Sequence, residues 1–251
     1  MSISIATVAN DVWNFVKRPK LAHLSDTFLS NPAQVLWYLL LLDLLLMFPL
    51  SGFLGLLGVE NMDHKIDALK DSPMQLAALA VIMAPILEEA AFRLPMKFSY
   101  VRISIALGVA LLVIAGQIQD EKTAGMVIGM VLLSVFIYQF VNNQKDNLLN
   151  EKLGNWWEHH FYIPFWLLTV AFALLHLSNF GDFPLHFAPF LVLPQFVLGA
   201  ILGYVRTGFG FVYAVLFHAL HNGVLVGLAM MASSAKDLAE PSLGVLQVLF
   251  Q

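Results

Sequence analysis

No cysteine occurs in the 251 residues, which removes disulfides, thiol nucleophiles, cysteine-ligated zinc and iron–sulfur clusters from consideration. Charge is nearly as scarce, with 12% of residues Asp, Glu, Lys or Arg against roughly 25% in a soluble domain. The formal net charge is -4, so no basic surface exists to neutralise phosphates, and nucleic acid is excluded as a partner. What fills the chain instead is apolar side chains, 59% of the total, with a mean hydropathy of +0.76. That composition belongs to a polytopic membrane protein. Polar chemistry is left to His, Asp, Glu, Asn, Ser and Thr.

Met1 to Ala9 carries no basic residue, so the opening lacks the pattern of a cleaved secretory signal. Residues 1–32 place Trp13, Phe15 and Val16 beside Lys17, Arg18 and Lys20, which suits an interfacial segment touching membrane lipids, with its cations towards anionic headgroups. Residues 33–231 read as an all-α bundle of about seven or eight transmembrane helices, with apolar runs near 32–59, 73–100, 103–118, 123–141, 161–177, 184–205 and 208–231. Between them lie a polar loop over 60–72, ending in a Ser72-Pro73 helix start, and a polar connection over 142–160 whose Trp156 and Trp157 read as interfacial anchors. The Lys and Arg bias among the loops predicts a cytoplasmic N-terminus. The expected location is a multi-pass position in a membrane, the plasma membrane in a bacterium and the endoplasmic reticulum in a eukaryote. Residues 232–251 form a tail whose final Val248-Leu249-Phe250-Gln251 resembles the scar of a viral 3C-type protease site, and these residues are set aside from the fold.

Against this apolar background the charges stand out. Glu88-Glu89-x-x-x-Arg93 lies inside the second run, where each charge costs about 2.5–3.5 kcal/mol unless it is paired or faces a wet site. Glu89 and Arg93 are four apart and share a helix face, while Glu88 points about 100° away. Glu89 and Arg93 are therefore expected to neutralise each other, leaving Glu88 free. Pro85, one turn earlier, removes a backbone hydrogen bond and permits a kink. Phe172-x-x-x-His176 closes the fifth run, and His218-x-x-x-Asn222 lies in the seventh with both side chains on one face. His221 is expected to point away from that face and to bond within the bundle, and Asp43 to serve as a helix–helix hydrogen-bonding group. Counted along the runs, His176 falls near the far end of its span while Glu88 falls in the cytoplasmic half of its own. Convergence on one wet site would relieve the cost of every one of these groups.

A carboxylate and a histidine can hold and deprotonate a water, and histidine with asparagine can donate to a developing oxyanion. Those are the parts for peptide hydrolysis without a covalent intermediate. Two histidines and a glutamate are also a catalytic zinc set, although the His-Glu-x-x-His signature is absent. A proton-coupled transporter or a non-catalytic immunity-type protein on the same fold are the readings from other classes.

The three motifs, in this order on separate helices from about Pro73 to Met231, resemble those of the CPBP family. These are the CAAX-processing and bacteriocin-processing (Abi) intramembrane proteases, the Ras-converting type of CAAX endoprotease among them. The resemblance implies a membrane endopeptidase acting on a peptide or lipid-modified protein, with residues 33–231 as the protease domain. Glu88 would be the general base, His176 would position the water, and His218 and Asn222 would form the oxyanion hole. Glu89, Arg93 and Phe172 would support them. It further implies a metal-independent glutamate mechanism with no cofactor, zinc being the alternative.

Overall fold

The computed structural model describes residues 3–21, 24–56, 72–116, 121–142, 147–180 and 183–236. The polar loop expected over 60–72 falls outside them except for Ser72, and so does the terminal Val248–Gln251. The described residues are almost wholly helical: α1 (Ile5–Lys17), α2 (Asp26–Leu29), α3 (Pro32–Leu56), α4 (Pro73–Ala77), α5 (Ala84–Phe92), α6 (Tyr100–Gly116), α7 (Glu121–Asn142), α8 (Asn147–His159), α9 (Tyr162–Leu175), α10 (Ala188–Leu191), α11 (Leu193–Gly208) and α12 (Phe211–Lys236).

Four stretches are long and apolar enough to cross a membrane: Pro32–Leu56, Tyr162–Asn179, Leu185–Gly208 and Phe211–Met231. These four lie among the described residues, and the remaining expected runs are not among the four. In the second expected span the helix stops at Phe92, and a 3₁₀ turn over Leu94–Met96 ends the run before residue 100. Trp37, Leu45, Leu56, Leu167, Val212 and Leu216 point outward and are more than half exposed. In water such a surface would associate; in lipid it is the solvated face.

α11 is the spine. Leu198 to Arg206 is buried without interruption, and its glycines let neighbours approach the backbone closely. A Cβ at Gly203 would lie 2.5 Å from the Phe165 ring of α9, and one at Gly199 would lie 3.1 Å from Phe172 and 3.4 Å from Arg93. Gly210, at φ +110, makes the turn into α12.

α1 belongs to this core. Val8 and Phe15 are buried with α3 and α11, Phe15 meets Phe165 and Tyr204 edge-on, and Tyr204 donates to Asp11 at 2.7 Å. Its other side carries Trp13, 61% exposed, with the Lys17 ammonium 5.5 Å from the ring. The expected connection over 142–160 contains a helix, α8. Trp157 is no simple interfacial anchor: its indole N–H donates to the Met96 carbonyl at 3.1 Å and docks α8 beneath the end of α5.

The helix that bears Glu88 is irregular for a covalent reason. Between α4 and α5 the chain makes a π-helical turn over Ala78–Met83, and the Ala84 N–H bonds to the Leu79 carbonyl. Ala80 would normally receive its bond from Ala84, or in π geometry from residue 85. Ala84 is taken and Pro85 has no N–H. The orphaned Ala80 carbonyl is met instead by the side-chain amide of Asn222, at 2.7 Å. Ser72, expected to cap this helix, makes no side-chain cap bond, and Pro73 alone marks the start.

Candidate active site

α5 runs antiparallel to both α9 and α12: Phe92 lies against Phe172 and Glu88 against His176, while Glu89 meets His218 and Ala80 meets Asn222. The three sequence motifs therefore converge. His176 Nε2 lies 4.0 Å and His218 Nε2 3.7 Å from the same Glu88 oxygen. The depth mismatch expected between His176 and Glu88 is not seen, since the two side chains meet. Phe165 is already level with Met96, both lying against Gly203.

The two glutamates have different surroundings. Glu89 is completely buried, with one oxygen 3.8 Å from Arg93 Nε and the other 3.0 Å from His218 Nδ1. Arg93 is also fully buried, donates to the Gly199 carbonyl at 3.4 Å, and lies 4.2 Å over the Phe172 ring. Glu88 retains 19% side-chain exposure and His176 15%. Glu88 and His176 can thus meet solvent or a ligand, and Glu89 and Arg93 cannot.

Both imidazoles are oriented through Nδ1. His176 Nδ1 faces the Phe172 carbonyl at 2.9 Å, an acceptor only, so it must carry the proton and the neutral ring presents a lone pair at Nε2 towards Glu88. His218 Nδ1 faces the Glu89 carboxylate and likewise donates. Because its partner is an anion, this ring also has the counter-ion that an imidazolium needs. Phe172 packs edge-on to both rings, 4.8 Å from His176 and 6.0 Å from His218.

One amide hydrogen of Asn222 satisfies the Ala80 carbonyl, and the second remains for a ligand. His221 does not point away. Three residues along a helix is a rotation of only about 60° from His218, and the side chain is buried against α3, where Nδ1 bonds to Asp43. Asp43 bridges helices as expected, with a partner that sequence spacing could not name. Arg206 was also missed as a site element. It is buried and donates from Nε to the Arg93 carbonyl at 2.8 Å, capping the end of α5. Its position in the last turn of an apolar helix was the available signal.

The zinc alternative can be tested on spacing. Tetrahedral zinc about 2.0–2.2 Å from each ligand sets donor atoms roughly 3.3 Å apart. His176 Nε2 and His218 Nε2 lie 4.0 and 3.7 Å from the Glu88 oxygen, and among the described residues no group of three His, Asp or Glu side chains is arranged to hold a metal ion.

No curated protein and no solved structure matches the chain. A family model, described as type II CAAX prenyl endopeptidase Rce1-like, matches residues 70–224, more than half of the sequence and all of Glu88, Glu89, Arg93, Phe172, His176, His218 and Asn222. An integral membrane protein by its apolar helices and a membrane protease by kinship, the chain belongs to the Rce1-like family of type II CAAX prenyl endopeptidases.

Proposed function

We propose that this protein hydrolyses a peptide bond near the carboxyl end of a prenylated CAAX-type peptide or protein, using a water activated by Glu88 and no metal. The observation that carries this reading is the convergence of the Glu88 carboxylate with Nε2 of His176 and of His218 at 4.0 and 3.7 Å. A water about 2.8 Å from each group can span such gaps. It would donate one hydrogen to Glu88 and one to the His176 lone pair, leaving an oxygen lone pair for the substrate carbonyl. As the C–O bond forms, Glu88 takes the proton, and it delivers that proton to the leaving amine when the C–N bond breaks.

The oxyanion needs donors. His218 can supply Nε2–H once its ring carries a second proton, with Glu89 and the Arg93 behind it fixing that ring. The remaining Asn222 N–H is the second donor. Phe172 and Gly199 hold the two histidines and Arg93 at their spacing. Zinc receives no role, a choice that the ligand spacing supports. On this reading the N-terminus lies on the cytoplasmic side, as the Lys and Arg bias among the loops supports, with the protein in the plasma membrane of a bacterium or the endoplasmic reticulum of a eukaryote.

The test is cleavage of a farnesylated CAAX-type peptide by wild type and Glu88→Ala, with and without a strong chelator. Chelator-resistant cleavage that the variant lacks supports the glutamate mechanism. Chelator-sensitive cleavage with stoichiometric zinc would overturn it, and full activity in Glu88→Ala would remove Glu88 from the reaction.

A further inference from the structure

The hydrolytic scheme leaves one buried polar pair unused. Asp43, in the middle of α3, is completely buried, and its Oδ2 bonds to Nδ1 of His221, itself 3% exposed, on α12. The second Asp43 oxygen has no hydrogen-bond partner among the described residues. Asp43 lies upstream of residues 70–224, so the pair joins a helix outside the family match to one inside it.

Energy alone does not account for it. Burying a carboxylate and an imidazole costs more in desolvation than their attraction usually returns, and apolar replacements of such pairs are often neutral or stabilising. What the pair supplies is direction. α12 packs mainly on α11 and on the helix of α4 and α5, and meets α3 only lightly. Among the described residues, polar contacts orient it from two sides: His218 to Glu89 and Asn222 to Ala80 on the α4–α5 side, and His221 to Asp43 on the α3 side. His221 lies one turn from His218, roughly 60° around the helix. The α3 anchor and the two on the α4–α5 side therefore hold α12 from different directions, with His218 Nε2 facing Glu88 between them.

We propose that Asp43 and His221 are a positioning dyad that sets the rotation of α12 and thereby places His218 against Glu88 and Glu89. The inference rests on the hydrolytic reading for its kinetic consequence, though not for its structural one. A displacement of about 1 Å in a catalytic group can lower turnover about 100-fold, so losses of about 10- to 100-fold in kcat with KM within about twofold are the expected signature.

The experiment replaces both members together, Asp43→Leu with His221→Leu, and reads three quantities in detergent: the thermal midpoint, kcat and KM on a farnesylated CAAX-type peptide, and the ¹⁵N and ¹H resonances of the His218 ring. The expected result is a midpoint at or above wild type, the stated loss in kcat, and a shifted His218 Nδ1–H resonance, with Asp43→Asn alone close to wild type because its amide oxygen still accepts from His221. A leucine pair with wild-type kcat and unmoved His218 resonances overturns the dyad. Should the leucine pair fail to fold, Asp43→Asn set against Asp43→Asn/His221→Leu makes the same comparison with no unpaired charge left behind. If wild type cleaves no such peptide, the hydrolytic reading falls and the His218 resonances alone decide the dyad.

Discussion

Glu88 and Glu89 are adjacent residues with identical side chains, and burial alone separates their work. Glu89 is sealed between Arg93 and His218 with no exposure, whereas Glu88 keeps 19% of its side chain accessible. Removing one member of a buried ion pair leaves the other uncompensated at a cost of about 3–5 kcal/mol. Glu89→Ala is therefore expected to lose folding stability by that order as well as activity. Glu88→Gln is expected to keep the thermal midpoint of wild type or exceed it, while cleavage falls about 100-fold or more. Unfolding in detergent beside peptide cleavage checks both, and equal stability losses in the two variants would contradict the division of roles. This division was legible in the sequence, because an intramembrane charge is costly enough to need a stated partner and the i, i+4 spacing of Glu89 and Arg93 named one. The Asp43–His221 bond was not legible. Its partners are 178 residues apart, and no local spacing links them.

At the scale of the element, the helix carrying Glu88 depends on a repair made from another helix. Pro85 removes the N–H that a π-helical turn would offer the Ala80 carbonyl, and Asn222 supplies the missing donor. Asn222→Ala leaves a part-buried acceptor without this donor, at an expected cost of about 0.5–1.5 kcal/mol. In a Pro85→Ala background residue 85 regains its N–H, so the same substitution should cost measurably less. A double-mutant cycle on thermal midpoints reads this directly, and strict additivity would show that the two residues act independently. The sequence announced a kink at Pro85 and a polar face at His218 and Asn222, but not their connection, since a π turn leaves no periodic signal of its own. Close approach gives a second prediction at this scale. Gly199→Ala sets a methyl 3.1 Å from Phe172 and 3.3 Å from Thr169, forcing the ring that spaces His176 and His218. Overpacking of this kind costs typically about 1–3 kcal/mol, and here turnover should fall further than that stability loss alone explains, as judged by cleavage at a temperature where the variant remains fully folded.

For the molecule as a whole, the family match and the folded core do not have the same limits. The match begins at residue 70, yet the largest buried cluster takes in Val8 and Phe15 of α1 and Val35, Leu39 and Leu40 of α3 together with Phe165, Phe172 and the α11 spine. Composition made the helical membrane class plain, and the motif order pointed to the family. The part played by residues 1–32 was obscured because an amphipathic helix that lies on lipid and one that docks on protein share the same pattern of aromatic and basic residues. Their two faces can be told apart by substitution. Phe15, 4% exposed, packs edge-on against Phe165 and Tyr204, and a buried Phe→Ala change costs about 3–5 kcal/mol. Trp13, on the same helix, is 61% exposed. Phe15→Ala should lower the thermal midpoint strongly and reduce cleavage with it, because Phe165 and Tyr204 belong to the α9–α11 packing that carries His176 and holds Arg93. Trp13→Ala should leave the midpoint within experimental error. A Phe15→Ala variant as stable as wild type would mean that α1 is held by the membrane and not by the bundle.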